Sequence, residues 1–427
     1  MIPGVYIQPE NPHPRDSDPG VHSLRRVPDA AQRRLFMPEA PANTNWFTYF
    51  PEDYRWSAAI CGMVSSAQWG GTEIGEVDKV CRRLYKKLGD DNLWFREWDR
   101  MGDTVRDLGR AAERKKQNLS AASHYKRATC YYQMGERFRT PKDKRAVATF
   151  KKSLDTFRRF VRLTDRPRIE AVEVPFEGRK KLPGYLVHAE NTRKRKPPVV
   201  VFFDGLDVTK ELQFTRGVED LVRRGMSCLI MDGPGTGEAI RLRNIYLRPD
   251  YEVAGSAALD YLETRNDVDA KNAGVMAISL GGYYAPRIAS LEHRYKACLA
   301  WGAIWDYYAT WKKRIEASFK AELSVPGHHI QWILNADSLD DALVKLEGFR
   351  LDGVVQNMRC PFLVTHGADD KQIPLRDAKA LYNAVGSKDK TLKVFTVKEG
   401  GSQHCQRDNY AIGATYMFDW LQEKLCG

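Results

Sequence analysis

Short apolar runs that each end in a polar or glycine-containing turn recur through the second half of the chain, and they limit its fold more than any other feature. A helix-like segment separates most of these runs from the next. Apolar runs of this length indicate buried parallel strands, and strands that alternate with helices form βαβ units. Sites in such sheets lie at the carboxyl ends of the strands. The runs are PPVVVFFDG, MSCLIMDGPGTG, AGVMAISLGG, ACLAWGAI, PFLVTHGADD and TLKVFTVKEGG.

The pattern of residues changes twice along the chain, which predicts three regions. Residues 1–45 are rich in Pro, Asp and Arg without periodicity, and we expect an extended arm there. Residues 46–164 place apolar side chains at three- and four-residue spacings, which predicts an all-helical domain. Residues 165–427 form the α/β domain, which opens with a β-hairpin that turns at Glu177 and Gly178.

Ser279 stands where one of these apolar runs meets the following helix. The surrounding pentapeptide, Ala277-Ile278-Ser279-Leu280-Gly281, matches the G-x-S-x-G pattern of a nucleophile elbow except that Ala277 replaces the first glycine. Small residues are needed at both flanking positions because strand and helix approach closely at such a turn. The turn leaves the hydroxyl exposed above the sheet, beside a helix N-terminus that favours negative charge. A serine in an ordinary strand-to-helix turn is the alternative interpretation.

A serine hydroxyl needs a base, and the base needs a carboxylate that orients it. Two later strand ends offer such groups. The segment HGADD supplies Asp369 and Asp370, and the segment EGGSQHC supplies His404. A loop aspartate alone is usually a turn residue. Ser279, an aspartate and His404 in this order at three strand ends nevertheless predict a catalytic triad.

Two backbone amides are expected to bind the oxyanion that forms when the serine attacks a carbonyl. One belongs to Leu280, directly after the serine. The other belongs to Leu206, because Gly205 lets the loop FFDGLDVTKE turn inward after the first core strand. A purely structural turn is the alternative for this loop. The segment DGPGTGE, residues 232–238, lacks the Lys-Ser/Thr pair of a phosphate-binding loop, so we expect a turn that lines the pocket.

Composition and charge argue against several classes of function. The formal net charge is +12, but the basic clusters are scattered and no nucleic-acid-binding signature accompanies them. The eight cysteines and nine histidines lack the spacing of metal ligands. No apolar run is long enough to span a bilayer, and the N-terminal segment does not resemble a secretory signal. We therefore expect a cytoplasmic protein with a small-molecule substrate and without a metal, cofactor, nucleic-acid partner or membrane partner.

Aromatic residues are dense in the segments expected to border the site. Packing in the core or between domains would explain them. If some of them instead line the pocket, they favour a flat aromatic or polyketide-like substrate. These residues are Trp301, Trp305, Tyr307, Tyr308 and Trp311, with Trp46, Phe47 and Trp69 on the helical side.

Five segments of the chain resemble one family of α/β-hydrolases: FFDGLDVTKE, DGPGTGE, SLGGYYAPR, HGADD and EGGSQHC. That family includes 2,6-dihydroxypseudooxynicotine hydrolase, the Ayg1-type polyketide-shortening hydrolases and the FrsA-like proteins. The resemblance extends over about residues 46–425. It implies an α/β-hydrolase fold, with a mostly parallel twisted sheet and helices on both faces. It also implies that the N-terminal helices form a cap domain and that the substrate pocket lies beneath it.

The resemblance also assigns roles to particular residues. Ser279 is then the nucleophile, His404 the base and Asp370 the acid. Asp370 is preferred to Asp369 because the acid of the family stands four residues after the histidine of the HG turn, here His366. In one family member an acidic residue follows the strand after the elbow, where this chain reads AIWDYYATWKKRIEASF.

Several members of the family cleave a carbon–carbon bond next to a ketone. The resemblance therefore implies C–C hydrolysis of a small aromatic or polyketide-like substrate. A carboxylesterase, an amidase or a peptidase with the same triad remains an alternative, as does an FrsA-like binding or regulatory protein with little turnover. We expect substrate contacts from Asp204, Trp305, Asp306 and Tyr308, and we expect a homodimer.

Overall fold

The computed structural model describes residues 46–317, 319 and 325–427. These residues belong to one compact unit of the chain. The predicted arm, residues 1–45, lies outside the described residues. The division at residue 164 into a helical domain and an α/β domain stays a prediction.

Five α-helices occupy the segment predicted to be helical. Apolar residues at helical spacing bury one face of the third helix, where Trp94, Trp98 and Val105 are examples, whereas the fourth helix is buried on all sides from Ala128 to Arg137. Asp53 begins the first helix, where its side chain accepts a hydrogen bond from the backbone N–H of Trp56. The helices are α1 (Tyr54–Ser65), α2 (Ile74–Leu84), α3 (Asp91–Arg114), α4 (Asn118–Arg137) and α5 (Lys144–Leu163).

One eight-stranded sheet forms the centre of the described structure. The predicted hairpin is present, with Phe176 opposite Lys180 in an antiparallel pair. The second hairpin strand also pairs antiparallel with its other neighbour, and every remaining pair is parallel. The strands are β1 (Ile169–Phe176), β2 (Lys180–Val187), β3 (Pro198–Phe203), β4 (Ser227–Met231), β5 (Asp269–Ile278), β6 (Ala297–Trp301), β7 (Phe362–Gly367) and β8 (Lys390–Phe395). Their spatial order is β1-β2-β4-β3-β5-β6-β7-β8.

Ten further helices surround this sheet in the described part of the chain. They are α6 (Lys210–Phe214), α7 (Val218–Arg223), α8 (Gly237–Arg243), α9 (Glu252–Glu263), α10 (Gly281–Leu291), α11 (Tyr307–Glu316), α12 (His329–Ile333), α13 (Leu339–Leu346), α14 (Leu375–Ala384) and α15 (Tyr410–Cys426). None of the helices in the described ranges is both long and apolar enough to cross a membrane.

Strand β3 shows how the sheet separates two cores. Val199, Val201 and Phe203 pack towards α9 and α10, whereas Val200 and Phe202 pack on the opposite face with α7 and α15. This alternation follows from the two-residue period of a strand. Helices therefore cover both faces of a mostly parallel sheet, which confirms the predicted α/β-hydrolase fold class.

The N-terminal helices have a core of their own and also pack against the sheet. Trp94 lies between Trp56 and Trp98, with ring centroids 4.9 Å and 5.7 Å apart, inside the helical layer. On α5, the ring of Phe157 contacts the ring of Tyr185 on β2 at 4.8 Å. Aromatic contacts of this kind join the helical layer to the α/β part of the chain.

Candidate active site

Ser279 lies between β5 and α10 in a turn that only small neighbours allow. Its φ of +61° is in the left-handed region, which residues other than glycine rarely adopt. A Cβ atom added to Gly281 would lie 2.4 Å from the Cβ of Ala277, and one added to Gly282 would lie 2.3 Å from the carbonyl oxygen of Gly302. Alanine is accommodated at position 277 because residue 281 is glycine.

His404 connects Ser279 to Asp370. Its Nε2 atom is 2.8 Å from Ser279 Oγ, and its Nδ1 atom is 2.7 Å from Asp370 Oδ2. The other carboxylate oxygen, Oδ1, accepts hydrogen bonds from the backbone amides of Gln372 and Ile373 at 2.8 Å and 3.0 Å. These bonds fix the carboxylate in place. The geometry is the one in which a base activates a serine and an acid orients the base.

Burial and neighbouring charges shift the pKa values of Asp370 and His404 in the directions that an acid and a base require. Burial alone would raise the pKa of the Asp370 carboxyl, but the charge of His404 and their hydrogen bond outweigh it and bring the pKa to about 2. Burial also lowers the pKa of the His404 imidazole, and this effect exceeds the opposing effect of Asp370. Near neutral pH the acid is therefore ionised and the imidazole is neutral, as a base must be.

The loop after β3 approaches the elbow closely. A Cβ atom added to Gly205 would lie 2.7 Å from the carbonyl oxygen of Ile278 and 3.1 Å from the backbone nitrogen of Leu280. In the described ranges, the backbone amides of Leu206 and Leu280 have no hydrogen-bond acceptor. Both residues are buried. These amides are where the predicted oxyanion hole requires donors, and their role stays a prediction.

A cavity above Ser279 and His404 is lined by both halves of the chain. Its helical wall comes from α1, with Gly62 and Met63 among others, and from α4, with Met134. The helices predicted to cover the site therefore form part of the cavity wall.

Five charged side chains line this cavity, and sequence reasoning found one of them, Asp204. Burial raises the pKa of the Asp204 carboxyl to about 6, against the lowering effect of the Arg216 guanidinium, which lies 3.4 Å away. Arg137 on α4 pairs with Asp207 at 2.5 Å. Arg407, three residues after the histidine, completes the set. No local pattern marks Arg137, whereas the position of Arg407 next to the motif EGGSQHC was a signal that could have been used.

Three of the four predicted substrate contacts, Trp305, Asp306 and Tyr308, are not among the described residues that line this cavity, and their contact with a substrate stays a prediction. Asp306 instead begins α11, where its carboxylate accepts a hydrogen bond from the backbone N–H of Ala309 at 2.8 Å and pairs with Arg350 at 3.4 Å. The ring of Tyr308 stacks under the same guanidinium at 4.8 Å, and Trp305 packs against the core. Asp306 therefore caps a helix, and Tyr308 and Trp305 pack against other parts of the protein.

None of the eight aromatic residues considered from the sequence lines the described cavity wall, where Tyr410 is the aromatic residue. Trp301 and Trp311 are fully buried in the core. The indole N–H of Trp301 donates to the carbonyl oxygen of Cys405 at 3.1 Å and so supports the loop that carries His404. Core packing, the alternative considered for these residues, accounts for their position.

The glycine-rich segment 232–238 supports the fold and does not line the cavity, contrary to the prediction. The carboxylate of Asp232 accepts hydrogen bonds from the backbone N–H and the ammonium of Lys210, both at 2.8 Å, and from the backbone N–H of Glu238 at 2.8 Å. Gly237 has no room for a side chain, since an added Cβ would lie 2.1 Å from Asp232. The glycines let the turn close around a buried carboxylate.

One group of side chains in the described ranges has the spacing of metal ligands: Glu170, His188 and Asp267. Arg265 donates to both carboxylates of this group, at 2.7–3.0 Å. None of the three lines the cavity.

Comparisons with known proteins show that the chain is similar to hydrolases. The model of the Prolyl oligopeptidase family matches residues 213–427. Hydrolase acrC of Aspergillus aculeatus is 26% identical over 88% of this chain and 98% of that protein. The 20-hydroxy-prefusarin hydrolase FUS2 of Gibberella moniliformis is 26% identical over 84% of this chain and 94% of that protein.

The structure of 2,6-dihydroxy-pseudo-oxynicotine hydrolase superposes with a TM-score of 0.70 at 22% identity. The match covers 85% of this chain and 95% of that one, so the two share a fold. These findings confirm the resemblance stated from the sequence.

Proposed function

The chain belongs to the prolyl oligopeptidase family of α/β-hydrolases, and from that premise we propose that it is a serine hydrolase whose catalytic residues are Ser279, His404 and Asp370. That it is a hydrolase follows from the family and from the named hydrolases among its relatives. The observation that carries the proposal is the continuous hydrogen-bond chain from Ser279 Oγ through both ring nitrogens of His404 to Asp370.

The proposed reaction begins when Ser279 Oγ attacks a carbonyl carbon of the substrate while His404 Nε2 removes the hydroxyl proton. The backbone N–H groups of Leu206 and Leu280 donate to the oxyanion. When the intermediate collapses, the bond to the leaving group breaks, and His404 returns the proton to that group. Water then hydrolyses the acyl group on Ser279, with His404 again acting as the base.

We propose that the bond cleaved is a carbon–carbon bond next to a ketone, as in a β-diketone, so that the leaving group departs as an enolate. Two similar proteins are named for 20-hydroxy-prefusarin and for 2,6-dihydroxy-pseudo-oxynicotine rather than for a peptide. The cavity wall is charged and mostly not aromatic, which favours an oxygen-rich, polyketide-like substrate over a flat aromatic one.

Peptide or ester hydrolysis is the second candidate, because the matched family model is that of a peptidase family. Both reactions need the same nucleophile and oxyanion donors. The leaving group distinguishes them, and it is tested with matched substrates that differ in that group alone.

Labelling and substrate profiling of the full chain test the proposal. A fluorophosphonate should label wild-type protein at Ser279, and Ser279→Ala should abolish labelling and lower kcat by roughly 10³-fold to 10⁶-fold. Ser290→Ala is the matched control, because Ser290 lies on α10, the helix that follows Ser279, where its hydroxyl donates to the carbonyl oxygen of Pro286 at 2.6 Å. Rates with 1-phenylbutane-1,3-dione, phenyl acetate and a peptidyl 4-nitroanilide then separate ketone, ester and peptide hydrolysis. Labelling at a different serine would refute the assignment.

A further inference from the structure

The cavity carries one more positive charge than negative among its described residues. Its charged lining consists of three arginines, two aspartates and the catalytic histidine, whose pKa is lowered. Arg137 pairs with Asp207 at 2.5 Å, and Arg216 pairs with Asp204 at 3.4 Å. Arg407 is the guanidinium that remains. A buried charge without a counter-ion is unfavourable, so such a charge needs an explanation.

Arg407 is buried, with 9% of its surface exposed, and its guanidinium has N–H donors that are not used within the described part of the protein. Its Nε atom donates to the carbonyl oxygen of His404 at 3.2 Å. Across the described ranges, its two terminal nitrogens have no hydrogen-bond acceptor, and no carboxylate lies within salt-bridge distance of them. One edge of the planar guanidinium is therefore unused at the cavity wall.

The carboxylate next to Arg407 in the chain is not available to neutralise it. Asp408 accepts hydrogen bonds from three successive backbone amides, those of Gly401, Ser402 and Gln403, each at 3.0 Å. These bonds hold the loop that carries His404. The carboxylate that could most easily have paired with Arg407 is thus committed to that loop.

The backbone at Arg407 is anchored to the helical layer. Its carbonyl oxygen accepts a hydrogen bond from the hydroxyl of Ser65 at 2.6 Å, and the thiol of Cys61 donates to the same oxygen at 3.5 Å. Hydrogen bonds therefore fix Arg407 at its backbone carbonyl and at Nε, and among the described residues they leave the terminal nitrogens of the guanidinium free. A guanidinium positioned in this way is organised in advance for a ligand.

We propose that Arg407 binds a carboxylate of the substrate, and this inference rests on the proposed function of the same site. Two parallel N–H groups on the free edge of a guanidinium match the two oxygens of a carboxylate. Binding would neutralise the excess charge of the cavity. Arg407 lines the same cavity as Ser279 and His404, so the inferred substrate is a keto acid whose carboxylate and reacting carbonyl fit within that one cavity.

A competition experiment tests this inference without requiring the natural substrate. The rate at which a fluorophosphonate labels Ser279 is measured with increasing 4-oxo-4-phenylbutanoate or with its primary amide, which has the same shape but no charge. In the wild-type chain the acid should protect at a concentration at least about 10-fold lower than the amide, because a buried charge pair strongly favours the ionised ligand. In Arg407→Gln this ratio should fall to about 1, and in Arg407→Lys it should be intermediate because an ammonium cannot form the paired contact.

Arg265→Gln is the control, because Arg265 is ion-paired at Glu170 and Asp267, away from the cavity, and its loss should leave the ratio unchanged. Equal protection by acid and amide in the wild type, no protection by either, or a ratio that survives in Arg407→Gln would overturn the inference while Ser279 still labels. If Arg407→Gln does not fold, the wild-type and Arg407→Lys ratios decide. Failure of wild-type Ser279 to label is a different result, which refutes the serine hydrolase and the inference with it.

Discussion

At the residue scale, two adjacent carboxylates follow β7, and they have different tasks. Asp370 Oδ2 is 2.7 Å from His404 Nδ1, whereas the described contacts of Asp369 consist of a backbone bond from its N–H to Ser402 at 2.9 Å. Asp370→Asn should lower kcat by on the order of 10⁴-fold, because an amide can hold the imidazole in the wrong tautomer. Asp369→Asn should change kcat little. Steady-state kinetics of the two variants check this, and the opposite ranking would mean that Asp369 is the acid.

A second residue-scale prediction concerns pH. His404 acts as a base only when it is neutral, and burial lowers its pKa. Activity should therefore persist below the usual histidine pKa of about 6.5, and the acidic limb of kcat/KM should have its midpoint below that value. In Asp370→Asn the midpoint should move to still lower pH, because Asp370 opposes the lowering.

Asp204 provides the control for this pH profile. Its pKa of about 6 is close enough to produce a similar limb. If the limb belongs to His404, it should survive in Asp204→Asn. A limb that disappears in Asp204→Asn would assign it to that carboxyl and contradict the prediction.

At the scale of secondary-structure elements, a buried charge cluster joins the start of α6 to the turn between β4 and α8. The ammonium of Lys210 is 2.8 Å from Glu211, 2.8 Å from Asp232 and 3.2 Å from Glu238. Lys210→Met should lower the free energy of unfolding by about 3–5 kcal/mol, because it leaves buried carboxylates without their cation. Chemical denaturation measures the loss.

The control for this element is an exposed ion pair. Lys345 pairs with Asp341 at 2.9 Å on α13, where both side chains are about a third exposed. Lys345→Met should change stability little, because solvent screens such pairs. Equal losses in the two variants would show that the cluster at Lys210 has no special importance for stability.

At the scale of the whole molecule, the N-terminal helices form part of the cavity wall and share a core with the sheet. Met63 and Met134 line the cavity from α1 and α4, and Phe157 packs on Tyr185. Deletion of residues 1–164 should therefore abolish turnover of the natural substrate and expose apolar surface that promotes aggregation. Expression and kinetics of residues 165–427 check this. A soluble fragment with full kcat/KM would show that the helices serve another purpose.

The sequence by itself determined the fold class and the three catalytic candidates, because both depend on local features. Alternating apolar runs and helical segments specify parallel strands whatever their surroundings, and the small residues at 277 and 281 are required by one turn. Asp370 and His404 were found because each lies in the loop that follows a strand, and parallel strands bring such loops together at one edge of the sheet. The choice of Asp370 over Asp369 depended on the family resemblance.

The tertiary structure alone decided which other side chains reach the cavity. Arg137 lies on α4 and pairs with Asp207, which lies in a loop 70 residues later in the sequence. Helix periodicity does not encode that contact, which depends on how α4 packs over the sheet. The burial of Trp301 and Trp311 was also decided by tertiary packing. A strand or helix pattern indicates which side chains face the interior, but it does not distinguish the core from the wall of a cavity. The excess charge at Arg407 likewise depends on the folded chain. Asp408 accepts hydrogen bonds from backbone amides of the loop that carries His404, and it therefore does not pair with Arg407.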